Sequence, residues 1–315
     1  MRHKLTSPDG TAASRLAFGT MQFGGRADAA QSRAMFDACI AAGINHFDTA
    51  YVYTEGASET LLGEMVQKQR DSLIIASKCA YEGGAGAGNI RAQVATSQQR
   101  LRLDTLDLLY LHRFDPETDL NESFDALARL REAGAIRHVG LSNFAAWQVV
   151  KTAGVAARFD LEIAVIQPMY SLVKRQAEVE ILPMAADLGI LVAPYSPLGG
   201  GLLTGKYVDG DSGRLREDAR YARRYDDPAM HEAARGLTGL AAELGTDPAT
   251  LAVAWVAAHG SGPTPIISAR NAAQLQPSLA ALDYDMTPEL YTRLAALMPA
   301  PPPATDRSDE QDRSK

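Results

Sequence analysis

Short apolar runs alternate with amphipathic segments along most of the chain. Eight of these runs are brief enough for buried strands and lie near residues 16, 46, 75, 109, 139, 165, 192 and 266. Between them, apolar residues recur at helical spacing, for example in 28–42, 120–133 and 229–244. Strands that alternate with helices favour a parallel sheet, and eight repeats suit a closed barrel. The pattern therefore predicts an α/β fold, a (β/α)₈ TIM barrel.

Three segments depart from this repeat. Residues 7–10 (SPDG) are a turn signal, which predicts an N-terminal β-hairpin leading into the first strand. Residues 1–298 form the predicted barrel domain, and the proline-rich, charged residues 299–315 are expected to be a disordered tail. Residues 208–228 are charged and longer than a usual connection, so they are a candidate lid or substrate loop.

Composition and charge narrow the class of partner. The chain has 315 residues, and 46% of them are hydrophobic, which is enough for a large buried core. A net charge of −7 disfavours broad attraction to nucleic acid or to anionic membranes, so small molecules are the expected partners. No apolar run approaches the roughly 18 residues of a membrane span, and the amino terminus lacks a signal-peptide pattern. With only two cysteines, the protein is expected to be cytoplasmic and free of disulfides.

Polar side chains cluster at the predicted carboxyl ends of successive strands, where a barrel places its active site. They are Asp48 and Tyr53 after the second strand, Lys78 at the end of the third, and His112 at the end of the fourth. A lysine beside a tyrosine favours the phenolate, so we expect Lys78 to lower the pKa of Tyr53 from about 10. Asp48 would keep Lys78 charged, and a histidine can orient a carbonyl oxygen. The group predicts proton transfer coupled to reduction of an aldehyde or ketone, with a cofactor supplying the hydride.

Each of these side chains also has a purely structural interpretation. Lys78 and Asp48 could form a plain buried ion pair, while His112 and Tyr53 could pack in the core. Their joint placement on three successive strand ends favours an active site. A barrel hydrolase is disfavoured and no metal site is expected, because the six histidines show no close ligand spacing and no two acids occupy matching strand ends.

Five motifs together resemble the signatures of the aldo-keto reductase superfamily. They follow one another at the expected strand ends: FDTAYVY (47–53), SK (77–78), LDLLYLH (106–112), GLSNF (140–144) and APYSPL (193–198). The resemblance covers roughly residues 10–298 and implies a TIM barrel that binds a nicotinamide cofactor, usually NADPH/NADP⁺, with NADH possible. It implies an NADP-dependent oxidoreductase in which Tyr53 is the general acid and base, Lys78 and Asp48 tune it, and His112 orients the carbonyl. The family default is a monomer, with an oligomer not excluded, acting on a small carbonyl or alcohol substrate.

The same resemblance assigns the cofactor contacts. Ser142, Asn143 and Gln167 would hold the nicotinamide carboxamide, Tyr195 would stack on its ring, and Arg270 would bind the adenosine 2′-phosphate, which favours NADPH over NADH. A glycine-rich run, a lysine and one of two arginines would contact the pyrophosphate. These residues are Ser196, Pro197, Leu198, Gly199, Gly200, Lys206, and Arg214 or Arg216. The predicted set is completed by Thr20, Met21, Asp48, Ser268 and Gln274. Two positions depart from the family pattern, because Ser268 stands where glycine is common and Ser278 stands where an asparagine often contacts adenine.

The resemblance also leaves a second function open. The potassium-channel β subunits belong to the same superfamily, bind the cofactor and act as regulators or redox sensors. A cofactor-binding regulatory protein with little turnover is therefore the alternative interpretation. The presence of His112 together with the other three candidates favours the enzyme.

Overall fold

The computed structural model describes residues 5–207 and 214–306, without the side chains of Arg214 and Arg216. Within these ranges, eight strands form one sheet. They are β1 (Ala17–Gly19), β2 (His46–Asp48), β3 (Ile74–Cys79), β4 (Leu106–Leu111), β5 (Ile136–Ser142), β6 (Ile163–Gln167), β7 (Leu191–Val192) and β8 (Ile266–Ile267). All eight coincide with the predicted runs.

The strands are parallel and lie in the order β7-β6-β5-β4-β3-β2-β1-β8. The two edges also meet, because Tyr195 and Ile266 form a parallel bridge. Backbone hydrogen bonds of 2.8 Å from Thr264 to Val192 and 2.9 Å from Ile266 to Pro194 extend this contact. The sheet therefore closes on itself, and the predicted α/β (β/α)₈ fold is confirmed.

Helices occupy the connections between the strands. In the described ranges they are α1 (Ala29–Ala41), α2 (Ala57–Val66), α3 (Ala87–Leu101), α4 (Leu120–Glu132), α5 (Ala146–Ala156), α6 (Ile181–Asp187), α7 (Arg214–Glu217), α8 (Ala219–Arg224), α9 (Pro228–Glu243), α10 (Pro248–Ala257), α11 (Ala272–Ala280) and α12 (Pro288–Ala295). Sequence-encoded caps fix several starts: Asp28 and Gln31 form a capping box at α1, and Asp227 and Asp247 cap α9 and α10. None of these helices is long and apolar enough to cross a membrane.

The segment predicted as a lid or substrate loop contains regular structure. Helices α7 and α8 lie within it, and Asp218 caps α8 by accepting a hydrogen bond from the backbone of Arg220. Residues 208–213 of the segment lie outside the described ranges. Its role as a lid stays a prediction.

The amino-terminal segment covers the end of the barrel where the strands begin. Leu5 is buried with the residues that fill the barrel interior. Arg137 on β5 donates to the carbonyl of Thr6 at 2.8 Å, which ties this segment to the sheet. Thr6 and Ala12 form one antiparallel bridge. The hairpin stays a prediction beyond that bridge, and so does the disorder of the tail, whose residues 307–315 lie outside the described ranges.

Candidate functional site

The four candidate catalytic side chains meet at the carboxyl end of the barrel. Asp48 ends β2, Lys78 lies near the end of β3, His112 follows β4, and Tyr53 begins a short turn, Tyr53–Gly56. The Lys78 ammonium is ion-paired with Asp48 and donates to the Tyr53 hydroxyl at 3.3 Å. The rings of Tyr53 and His112 meet edge to face with 5.9 Å between centroids. The structure thus brings together the residues that the sequence proposed as a group.

Burial and neighbouring groups together set the protonation states of the lysine and the tyrosine. Burial alone would lower the pKa of Lys78, but the interactions of the ammonium with Asp48 and then Tyr53 outweigh it, and the pKa of Lys78 is raised. The pKa of Tyr53 is also raised, because burial outweighs the neighbouring lysine charge. Lys78 does act to lower the pKa of Tyr53, as predicted, but the net lowering is wrong, because burial of the phenol outweighs the lysine. At neutral pH the pair is an ammonium and a neutral phenol, which can donate a proton.

His112 is a neutral imidazole in this setting. Burial, followed by the charges of Lys78 and Arg113, lowers its pKa to about 3. Its Nδ1 atom is buried without a hydrogen-bond partner in the described part of the chain. A buried unpaired acceptor is better tolerated than a buried unpaired N–H. We therefore assign the proton to Nε2, where it is available to a carbonyl oxygen.

A continuous hydrogen-bonded path joins this group to the predicted carboxamide contacts. Gln167 Nε2 donates to the second oxygen of Asp48 at 2.8 Å, and the Ser142 hydroxyl donates to the backbone carbonyl of Gln167 at 3.2 Å. The Asn143 amide donates to Ser142 Oγ at 3.1 Å and accepts from the Tyr195 hydroxyl at 2.7 Å. The side-chain nitrogen of Gln167 is thus engaged by Asp48, which the sequence did not predict.

The glycine-rich run after β7 has a left-handed backbone. Gly199, Gly200 and Gly201 have φ values of 56°, 65° and 98°. Leu198, with φ −90° and ψ 9°, precedes them, so only Leu198 and Gly199 form the right-handed and left-handed pair that is typical of anion-binding nests. A Cβ on Gly200 would approach the Tyr221 ring to 2.9 Å, so this position requires glycine. The N–H groups of Gly199 and Gly201 already donate to the carbonyls of Ser196 and Leu198 at 2.9 Å, so the pyrophosphate contact of this run stays a prediction.

Two arginines converge at the far side of the same end. Glu217 on α7 lies 3.0 Å from Arg26, which follows β1, and 3.4 Å from Arg270, which follows β8. The hydroxyl of Ser268 is buried without a partner in the described part of the chain. Clustered guanidinium groups and an unpaired hydroxyl fit a phosphate-bearing cofactor. The sequence proposed Arg270 and Ser268 as cofactor contacts and did not single out Arg26 or Glu217.

The remaining cofactor candidates differ in exposure. Thr20 is buried, and its hydroxyl is bonded to Ser58 at 2.8 Å and to the Asp48 carbonyl at 3.1 Å, so its side chain is engaged inside the fold. Met21 is 37% exposed, and Gln274 lies at the surface, where its side chain accepts from the backbone of Arg270 at 3.4 Å. Pro197 is buried, and Lys206 lies 5.0 Å from the Tyr207 ring. The side chains of Arg214 and Arg216 lie outside the described set.

Two further polar residues behind the site were missed at the sequence level. Glu59 on α2 is fully buried and lies 3.1 Å from Arg100 on α3. One signal could have identified it: Glu59 shares a helical stripe with Leu62 and Val66, both of which are buried. A carboxylate on a buried stripe needs a partner within the fold.

Comparison with known proteins agrees with this geometry. Residues 15–298 match the model of the Aldo/keto reductase family. The chain is 32% identical over 322 residues to "Uncharacterized oxidoreductase YrpG" of Bacillus subtilis (strain 168), covering 96% of this chain and 97% of that protein. It is 30% identical to "Probable voltage-gated potassium channel subunit beta" of Oryza sativa subsp. japonica, covering 97% and 99%.

A third relative matches a shorter stretch. It is "Aflatoxin B1 aldehyde reductase member 2" of Rattus norvegicus, 35% identical over 209 residues, which covers 64% of this chain and 57% of that protein. The family match spans most of the barrel and includes every strand end described above. The chain is an oxidoreductase of the aldo/keto reductase family.

Proposed function

We propose that the protein reduces a small aldehyde or ketone to the alcohol, reversibly, with NADPH as cofactor and Tyr53 as proton donor. The observation that carries this proposal is the arrangement of the Tyr53 hydroxyl. It accepts a hydrogen bond from the Lys78 ammonium, and its own proton has no acceptor in the described part of the chain. A neutral phenol whose proton is free, beside a fixed cation, is suited to protonate an oxygen that gains negative charge.

The neighbouring groups orient the substrate in this proposal. The Nε2–H of neutral His112 donates to the carbonyl oxygen, which places that oxygen near Tyr53. Lys78 stabilises the phenolate that remains after proton transfer, while Asp48 holds Lys78 in place. A bound nicotinamide supplies the hydride, and Ser142, Asn143, Gln167 and Tyr195 are its proposed contacts. We propose a monomeric cytoplasmic protein as the working form, following the family default.

The choice of NADPH rests on Arg270 and Arg26. The guanidinium groups of these two residues share one carboxylate partner, Glu217. Two positive charges against one negative charge favour binding of a phosphate. Replacing Arg270 by alanine should weaken NADPH binding by roughly 1.5–3 kcal/mol, through loss of a charge-assisted contact, and should change NADH binding little. Fluorescence titration with each cofactor measures both values. Equal weakening of both would remove Arg270 from the 2′-phosphate site.

The names of the relatives support two functions. The rat protein is named an aldehyde reductase, which fits the proposed reaction. The rice protein is named a probable potassium channel subunit, which favours a cofactor-binding regulator as the second candidate. The complete set of Tyr53, Lys78, Asp48 and His112 favours the reductase, because a regulator does not require a proton donor.

Fluorescence titration of the purified protein with NADPH and NADH, followed by addition of 4-nitrobenzaldehyde, tests the proposal. We expect tight NADPH binding and loss of NADPH absorbance once the aldehyde is present. Binding without turnover of any carbonyl would instead support the regulatory function. Absence of binding to either cofactor would contradict both.

A further inference from the structure

Tyr53 is held in a turn whose backbone is unfavourable. The residues that follow it, Thr54, Glu55 and Gly56, have φ values of 47°, 56° and 94°, so all three are left-handed. This conformation costs a non-glycine residue free energy, and threonine, which is β-branched, adopts it rarely. Such a turn persists only where surrounding contacts hold it. The position of Tyr53 therefore depends on groups outside the turn.

Arg100 on α3 contacts this turn on both sides of Tyr53. Its guanidinium donates to the backbone carbonyl of Tyr51 at 2.9 Å and lies 4.7 Å from the centre of the Tyr51 ring. On the other side of Tyr53, a Cβ added to Gly56 would collide with the same guanidinium. One side chain thus fixes the backbone before and after Tyr53.

Glu59 holds Arg100 in this place and connects it to Lys78. One carboxylate oxygen of Glu59 accepts from Arg100 at 3.1 Å, and the other accepts from the Ser77 hydroxyl at 2.6 Å. Ser77 directly precedes Lys78 on β3. The pair therefore links the turn that carries Tyr53 to the strand that carries Lys78.

We propose that Glu59 and Arg100 are positioning residues that set the distance between the Tyr53 hydroxyl and the Lys78 ammonium. The proposal rests on the proposed function, because that distance, 3.3 Å, matters for proton transfer. Arg100 acts through the backbone carbonyl of Tyr51, and Glu59 acts through the side chains of Arg100 and Ser77. Their loss should lower turnover without weakening cofactor binding.

The chain provides a matched control for a purely structural ion pair. Arg70 and Asp107 lie 2.8 Å apart with side-chain exposures of 17% and 0%, close to the 24% and 0% of Arg100 and Glu59. Arg70 bonds to the carbonyls of Leu73 and Thr105, which lie where β3 and β4 begin. It is therefore equally buried but lies at the opposite end of the barrel from Tyr53.

The test compares Arg100→Met with Arg70→Met in the full chain. We expect Arg100→Met to lower kcat for aldehyde reduction by about 10- to 100-fold and to leave the NADPH Kd within about twofold. Arg70→Met should lower Tm and leave kcat within about twofold. Because Arg100→Met leaves a buried charge on Glu59 and could fail to fold, the double variant Glu59→Gln/Arg100→Met is measured beside it.

The double variant separates positioning from stability. It should regain the Tm that Arg100→Met loses but keep the low kcat, whereas Arg100→Lys should regain part of kcat. Wild-type kcat in the stable double variant, or an equal loss of kcat in Arg70→Met, would overturn the proposal. Hydrogen exchange of residues 51–58 provides a readout without turnover, and we expect it to be faster in both Arg100→Met variants. If the wild-type protein reduces no carbonyl, the proposed function fails. Unchanged hydrogen exchange of residues 51–58 in the Arg100→Met variants would instead refute the proposal that Arg100 holds the turn.

Discussion

The two ends of the barrel each contain a buried, ion-paired aspartate. Comparing them shows what distinguishes a residue of the candidate active site from a structural residue. Asp48 lies at the carboxyl end of β2 and Asp107 near the amino end of β4, and they are 2% and 0% exposed. Both carboxylates bond to a cation and to an amide N–H. Burial and pairing therefore do not separate the two.

The hydrogen bonds of the Asp107 carboxylate are all made to groups of the scaffold. It accepts from the backbone of Ile75 at 2.8 Å, from Arg70 at 2.8 Å and from Arg137 at 2.9 Å. Arg137 continues to the carbonyl of Thr6, and so the amino-terminal segment is fixed across this end. Each bond leads to another part of the scaffold, which is the arrangement expected of a structural group.

The contacts of Asp48 lead instead to groups that the described chain does not satisfy. Through Lys78 they reach the Tyr53 hydroxyl, whose proton has no acceptor there, and the neighbouring His112 keeps Nδ1 unpaired. Unsatisfied polar groups inside a fold are costly, and they concentrate where a protein acts on a ligand. The difference between the two ends lies in where the hydrogen-bonded paths finish.

The largest effect should come from removing the phenolic hydroxyl of Tyr53, which lies next to Lys78. Tyr53→Phe should lower kcat by about 10²- to 10⁴-fold, because the proton donor is lost, while the NADPH Kd stays nearly constant. Steady-state kinetics and a fluorescence titration measure the two quantities. Tyr110→Phe is the control for removing a second phenol near the lysine, because the Tyr110 ring is fully buried and lies 5.8 Å from the Lys78 ammonium. Undiminished turnover in Tyr53→Phe would end the catalytic assignment.

A substitution of Asp107, at the opposite end of the barrel, should lower the free energy of unfolding and leave kcat unchanged. Asp107→Asn removes the charge that Arg70 and Arg137 share, and we expect a loss of about 3 kcal/mol in the free energy of unfolding. Urea denaturation measures this loss. The kcat of the folded variant should match the wild type, since the site at the carboxyl end keeps its contacts. A large fall in kcat with little loss of stability would reverse the roles assigned to the two ends.

The buried His46 on β2, which feels the charges of both Asp48 and Asp107, makes the stability of the fold depend on pH. Burial lowers its pKa to about 4 from the usual 6.5, although Asp48 and Asp107 act in the other direction. The unfolded chain therefore binds the proton of His46 more tightly, so the contribution of His46 to stability is constant above pH 6.5 and is lost as the pH drops from 6.5 toward 4. A shift of this size corresponds to about 3 kcal/mol over the window.

The variant His46→Leu isolates this contribution. Its free energy of unfolding should fall less than that of the wild type as the pH is lowered through the same window. His112, whose pKa is lowered to about 3, supplies a further fall in the same direction and remains in both proteins. Parallel pH curves for the wild type and the variant would show that His46 is not held neutral by burial.

Local patterns in the sequence predicted the strands and the polar residues that end them, because apolar periodicity and turn residues act over a few positions. The contacts of Lys78 with Asp48 and Tyr53 were also predicted, because barrel topology brings successive strand ends together. Other contacts between distant segments were not predicted. Arg100 and Glu59 are 41 residues apart, and Arg270 and Glu217 are 53 apart. The sign of the Tyr53 pKa shift was wrong for a related reason, since it depends on how deeply the whole fold buries the phenol.

The smallest expected effect comes from an exposed ion pair, which separates the influence of burial on ion-pair strength from the influence of distance. Arg102 lies 2.9 Å from Glu64, the same separation as Arg137 and Asp107, but the side chains of the first pair are 58% and 45% exposed. Water and side-chain entropy offset the attraction of an exposed pair, so Glu64→Gln should cost at most about 0.5 kcal/mol in urea denaturation. That small cost should diminish further in high salt, which screens exposed charges. A loss as large as that of Asp107→Asn would mean that distance alone sets the strength of these pairs, and the contrast between the ends of the barrel would then need another cause.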